Sequence, residues 1–318
     1  LYDNTTGAQN VALGMFALAN NTTANYNTAV GYAAMEATTG QYNTAVGGSA
    51  MYSNTTGYEN TAVGTEALEN NTTGTRNTAL GKEALESNTT AVNNTAIGFQ
   101  AGLGITTGGY NVTVGSESMM ATMTGTDNAA CGYGAMQVNT TGSHNTAMGN
   151  RALFDNTTGS SNTAVGRTAL GDNTTGDANT AIGRLAMEHN TTGSSNTAVG
   201  YRSQSEGATG ASNVSVGRDT LRYNTANNNT AMGYQAGYAN TTGAQNAFFG
   251  QRAGYKTTTA SSNTALGNSA LQENTTGASN TAIGSSTLIS NTTASYNTAV
   301  GYQSLDANTT GARNNAFG

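Results

Sequence analysis

Few side chains in this 318-residue chain can do acid–base, thiolate or metal chemistry: two histidines, one cysteine and 17 carboxylates. A general base must sit beside the group it deprotonates, and a metal centre needs several donors converging on one point. His144 and His189 stand at variable positions with no nucleophile recurring beside them, so both read as solvated surface. Cys131 stands alone, which excludes an intramolecular disulfide framework and a cysteine zinc site. The loop Gly-x-x-x-x-Gly-Lys-Ser/Thr that cradles phosphate is absent. The sequence therefore predicts no catalytic residue, no cofactor, no metal site and no enzyme activity.

Two other chemistries remain. Asn-Thr-Thr, an acceptor pattern for N-linked sugar, occurs at Asn4, Asn21, Asn54, Asn71, Asn88, Asn139, Asn156, Asn173, Asn190, Asn240, Asn274, Asn291 and Asn308. Fifteen tyrosines offer rings with an apolar body and a polar tip, suited to sugars or to a host surface. Neither set means much until the elements that carry it are known.

Those elements come from an internal repeat. Asn recurs at 10, 27, 43, 60, 77, 94, 111, 128, 145, 162, 179, 196, 213, 229, 246, 263, 280, 297 and 314, each time opening a version of Asn-Thr-Ala-Val-Gly. The period is 17 residues, shortened by one after Asn27 and after Asn213, beside the loop where deletions are best tolerated. The consensus is N-T-A-V-G-x-x-A-L-x-x-N-T-T-G-x-x, numbered 1 to 17 from its Asn. Residues 1–318 read as one continuous array of about nineteen repeats, an uncapped window on a longer chain.

Charge is rarely buried without a partner, so its distribution over the repeat reports exposure. All charged side chains, both histidines and all tyrosines fall at positions 6, 7, 10, 11, 16 or 17. The acids scatter over five of these positions instead of forming the aspartate columns of calcium-binding solenoids. Positions 1–5, 8–9 and 12–15 never carry charge, which makes them interior, tight turns or contacts with another chain. Position 4 takes only hydrophobes or cysteine and is the expected core column: Leu13, Val30, Val46, Val63, Leu80, Ile97, Cys131, Val165, Ile182, Val199, Leu266, Ile283 and Val300. Cys131 is accordingly expected as a buried, inert thiol. Position 9, mostly Leu or Met, supplies a second core column. Position 5 is Gly in every repeat, as a corner with positive φ requires.

Glycine density and the lack of a 3.6-residue period exclude helix. The expected fold class is all-β, a β-solenoid or parallel β-roll of 17-residue rungs, with strands near positions 2–4 and 7–10. Stacked at about 4.8 Å, nineteen rungs would span roughly 90 Å, with each Asn, Thr and hydrophobe above its own copy. Asparagine ladders are expected at positions 1 and 12. Position 2, on the core face, would point its threonines inward and leave no flat hydroxyl array for ice. Glycans on rungs so closely spaced would collide, so the Asn-Thr-Thr asparagines read as ladder residues.

Two buried hydrophobes per rung do not offset the ordering of 17 residues, so further apolar contact is expected. Alternation would turn the small position-3 column away from the core, making Ala12, Ala45, Ala62, Ala164, Ala181 and Ala299 candidates for chain–chain contact. A net charge of −6 gives no basic field for nucleic acid, and no apolar run is long enough for a membrane helix.

The repeat N-T-A-[IV]-G-x-x-A-L-x-x-N-T-T-G resembles the shafts of phage tail-fibre-like and bacterial surface-adhesin proteins over essentially the whole chain. Its Asn-Thr-Ala-Val-Gly segment is similar to the shorter S-V-A-I-G repeat in the head of YadA-type trimeric autotransporter adhesins. The resemblance implies an extracellular or virion fibre, usually a parallel homotrimer, that presents a binding domain. Its partners would be itself and, through domains beyond these residues, a host-surface glycan or receptor. A self-assembling extracellular filament is the alternative.

Overall fold

The computed structural model describes residues 1–318, which form nineteen three-residue strands and no helix. The chain falls into two compact units, Leu1–Ser161 and Asn162–Gly318. Each is a parallel β-solenoid with one strand per repeat, at positions 2–4. The first unit holds nine strands, from Val11–Leu13 to Thr146–Met148, and the second ten, from Thr163–Val165 to Asn315–Phe317.

Within each unit every strand residue pairs with its own counterpart in the next repeat: Thr61 with Thr78, Ala62 with Ala79, Val63 with Leu80. The 16-residue repeats keep this alignment, since Thr28 pairs with Thr44 and Val214 with Thr230. Their missing residue comes out of the loop that follows the turns. At the first of them Thr38 occupies the place of the position-12 asparagine and bonds Asn54.

Position 5 turns the chain where glycine alone fits. Gly132 has φ 138°, and a Cβ there would lie 2.5 Å from the carbonyl oxygen of Gly149 directly above it. Beyond this corner the expected second strand does not form. Positions 5–12 are instead a chain of overlapping turns, in which Ala67 N–H donates to Gly64 O, Glu69 to Glu66 O and Asn71 to Leu68 O. Residues at the third place of the first two turns adopt positive φ, as type II geometry demands: 60° at Glu66 and 52° at Leu68. Position 17 does the same, with Arg76 at 57°. Holding L-residues in this region costs on the order of 1–2 kcal/mol each. The compensation is that the turns still bond along the axis. Leu68 N–H donates to Ala84 O in the following repeat, and Glu66 N–H to Gly48 O in the preceding one.

The core runs opposite to the expectation at the strand. Position 3 points inward and positions 2 and 4 point out. Ala45, Ala62, Ala164, Ala181 and Ala299 are fully buried, and Ala12 is half-buried in the first repeat, so this column packs the interior and is no chain–chain surface. The position-4 residues face solvent. Leu13, Val46, Leu80, Ile97, Cys131, Ile182 and Leu266 are exposed, while Val30, Val63, Val165, Val199, Ile283 and Val300 are half-buried. Strand parity is a single binary choice, and choosing it wrongly inverts every residue of the strand.

Width decides the parity. Position 9 fills the interior with a fully buried Leu or Met, as at Leu68, Met136 and Leu271, and Ala at position 8 is buried beside it. Only a methyl fits opposite. Exceptions prove the spacing: the large Phe248 stands at position 3 where position 9 is Gly in its own repeat and in the one before, Gly254 and Gly237. Its ring occupies the space that two leucine side chains take elsewhere. Polar residues at position 3 are paired across the same gap, Thr113 with Ser118 and Ser215 with Ser203 (2.7 Å).

Candidate functional site

Two asparagine columns close each rung. At position 1, Asn60 Nδ2 donates to Gly74 O at 2.8 Å, tying the start of the repeat to its final loop. Asn60 Oδ1 accepts the backbone N–H of Asn77 at 2.9 Å, and this link recurs from Asn27 to Asn145 and again from Asn179 to Asn314. At position 12, Asn71 Nδ2 donates to the same Gly74 O at 3.1 Å and to Asn54 Oδ1 at 2.8 Å. A short side chain with one donor group and one acceptor is what position 1 requires, and only Asn supplies it. At position 12, Asn71 acts through its donor alone, since its Oδ1 itself has no partner.

Position 12 contains all the Asn-Thr-Thr acceptors. Asn21, Asn54, Asn71, Asn88, Asn139, Asn156, Asn173, Asn190, Asn240, Asn274 and Asn291 are fully buried. A sugar on any of them would have to displace the ladder. Asn4 and Asn308, in the first and last repeats, are exposed and half-buried respectively. The position-12 column also tolerates interruption: Ile105 stands in it, and in the next repeat Met123, one place further on, turns inward in place of the exposed Thr122, the two forming a buried apolar pair linked by a parallel bridge.

The acid–base candidates lie on the outer edges. His189 is half exposed, with Nδ1 2.6 Å from Asp172 Oδ2 and Nε2 3.8 Å from Glu206 Oε2 and 3.9 Å from Glu188 Oε2. The hydrogen bond to Asp172, helped by the neighbouring carboxylates and opposed by partial burial, raises its pKa above the usual imidazole value. His144 lies 3.9 Å from Asp127 in another exposed pair. No nucleophile is held against either ring, and no group of three or more His, Cys, Asp or Glu side chains is arranged to hold a metal ion. No helix is long and apolar enough to cross a membrane.

Cys131 is exposed, on the outward face of Ala129–Cys131, which corrects the expectation of a buried thiol. Its surroundings reveal the least expected surface of the molecule. Columns 2 and 4 are both accessible, in the pattern Thr-x-Val, yet neither carries a charge in any repeat. The threonines of position 2 therefore also point outward, contrary to the sequence reading. Along each unit this makes a flat strip of threonine hydroxyls and aliphatic side chains, repeated every rung. The charge distribution had marked it in part: columns 1, 3, 8, 9, 12 and 15 are interior and column 5 is a corner, while the exposed columns 2, 4 and 14 exclude charge without being buried, and of these only column 4 is hydrophobic throughout.

In comparisons with known proteins, no family model matches the chain and no curated protein matches it.

Proposed function

We propose that the chain is a structural element of an extracellular or virion fibre, a shaft that spaces or presents a binding domain and that associates with copies of itself through the Thr-x-Val strip. The observation that carries the reading is the exposed, charge-free column pair 2 and 4. Charge is easy to accommodate on a solvated edge, as positions 6, 7, 10, 11, 16 and 17 demonstrate, so a charge-free face whose column 4 is hydrophobic in every repeat yet accessible marks a surface that is covered. A second copy fits best because the strip is uniform along the axis, and only a partner with the same rung spacing matches it throughout. With two partly exposed side chains per rung, each unit presents on the order of 1,000 Å² of strip, above the roughly 800 Å² per partner of a standard specific interface. The resemblance to trimeric fibre shafts points to three parallel copies.

Cys131 provides the test, being the single thiol and lying within the strip. In a parallel, in-register assembly the Cys131 residues of neighbouring copies come close, so a short thiol crosslinker should join chains covalently, and mass measurement should give a multiple of the 32.1 kDa protomer. A chain that stays monomeric at high concentration and resists crosslinking would sink the proposal. Thermal hysteresis from such a monomer would instead assign the strip to ordered water at an ice surface.

A further inference from the structure

The 6/7 edge of the second unit carries a cluster that self-association does not use. Arg167, Arg184, Arg202, Arg218 and Arg252 all stand at these two positions within six repeats, with Tyr201 and Tyr234 between them. Backbone bonds hold the edge as a ladder. Arg202 N–H donates to Arg184 O, Asp219 N–H to Tyr201 O, and Arg252 N–H to Tyr234 O. Three guanidinium groups converge on one ring: Arg184, Arg202 and Arg218 lie 5.8, 5.2 and 5.6 Å from the centroid of Tyr201. Arg218 also lies 5.8 Å from the Tyr234 ring.

Cation–π attraction to one tyrosine does not neutralise three like charges. The only carboxylate at positions 6 and 7 of this unit is Asp219, whose Oδ2 lies 3.2 Å from Arg218 Nε and whose Oδ1 is shared with Arg222 at 3.8 Å. Arg167, Arg184 and Arg202 form no ion pair and keep their guanidinium donors for a ligand. Arg presents a planar fork that takes carboxylate or sulfate in bidentate fashion, and an aromatic ring takes the apolar face of a sugar. Arg184, Arg202 and Arg218 come from three successive rungs, about 4.8 Å apart, so the cluster runs along the stack.

We infer that this edge binds an acidic polysaccharide lying along the stack of rungs, with its anionic groups on Arg184, Arg202 and Arg218 and a sugar face on Tyr201. A polysaccharide is favoured over single-stranded nucleic acid because the rings of the edge, Tyr201 and Tyr234, stand two rungs apart and do not form the succession of aromatic platforms on which consecutive bases stack.

Binding of a soluble polyuronate to the full chain, measured calorimetrically near physiological salt, tests the inference. The variant Arg184→Gln/Arg202→Gln/Arg218→Gln should bind at least about tenfold more weakly, and Tyr201→Ala should also weaken binding. The change Lys82→Gln in the first unit should leave affinity as it was. All these changes are at surface positions, and an unaltered circular dichroism spectrum certifies the fold. Absence of polyuronate binding, equal binding by wild type and the triple variant, or tighter binding of a single-stranded oligonucleotide with the same sensitivity to the arginines would overturn the inference. Crosslinking through Cys131 reports self-association separately, so failure of either proposal is distinguishable from failure of the other.

Discussion

The two compact units share a backbone and differ in almost everything the backbone leaves free. In the first, positions 6 and 7 carry Glu66, Glu83 and Glu117 against Lys82 and Arg151; in the second they carry five arginines and one aspartate. The second unit as a whole has seven acids and eight bases, so the acidity of the chain resides in the first. Interiors differ too. The buried pair Ile105 and Met123 interrupts the position-12 ladder in the first unit, whereas Phe248 flanked by glycines replaces the Ala and Leu packing in the second. What never differs is the position-1 asparagine and the position-5 glycine. The comparison separates residues that build a rung from residues that decorate it: a rung-closing residue must satisfy buried backbone groups at every level, while an edge residue answers only to solvent and its ligand.

The largest expected break concerns the interior. Phe248→Ala should leave a cavity in the second unit and cost about 3–5 kcal/mol in chemical denaturation, comparable with the about 2–5 kcal/mol of Leu68→Ala in the first. Adding Gly254→Leu to Phe248→Ala restores the consensus pair and should recover much of the loss. The backbone already suits it, since φ at Gly254 is 61° and leucines at the same position sit near 50°. If the double variant is no better than the single one, the exchange of volume between positions 3 and 9 is not what sets the core.

Next come the asparagines, where the two units should behave alike. Asn60→Ala in the first and Asn280→Ala in the second each remove the acceptor of the next backbone N–H and a donor to a loop carbonyl, Gly74 O and Ala294 O respectively. A loss of about 2–3 kcal/mol is expected from each, because buried groups are left unpaired. Asn71→Ala should cost less, since Gly74 O keeps its bond from Asn60. Equal losses at Asn60 and Asn71 would contradict the division between an obligatory and a tolerant column.

The smallest effects depend on pH and should separate the units again. In the first unit, burial and the nearby glutamates raise the pKa values of Glu69 and Glu86 above the usual carboxylate value. Folding disfavours their charged forms, so the stability they confer is fully present below the unfolded carboxylate pKa and is lost as pH rises through the folded one. In the second unit, His189 is raised mainly by its bond to Asp172. Its contribution is complete below the unfolded imidazole pKa and disappears as pH rises through the higher folded value. Both groups are largely solvent-screened, so each effect should be a few tenths of a kcal/mol. Removal of Glu86 by Glu86→Gln should flatten the pH dependence in the carboxylate range, and His189→Gln in the imidazole range. A titration in which either variant follows the wild-type curve throughout would discard that attribution.

Much of this protein is legible in its residue order. The 17-residue period, the strand at positions 2–4, the corner glycine at position 5, the buried Leu/Met column at position 9 and the two asparagine ladders all follow from which positions admit charge and which never vary. The arginine edge is hidden by averaging, because a net charge of −6 over the whole chain conceals a basic stretch in one part of it. The turns that replace the second strand are not legible, because turns with L-residues at positive φ have no strong sequence signature outside Gly and Asn.

Periodicity determined by itself that like residues lie over like, since only stacking in register lets one sequence repeat unchanged. Tertiary structure alone decided which face of the three-residue strand looks inward. Both parities satisfy alternation, and hydrophobicity favours the larger position-4 side chains as core. The interior left by the Leu or Met at position 9 is too narrow for a second large side chain, so alanine goes in and valine stays out.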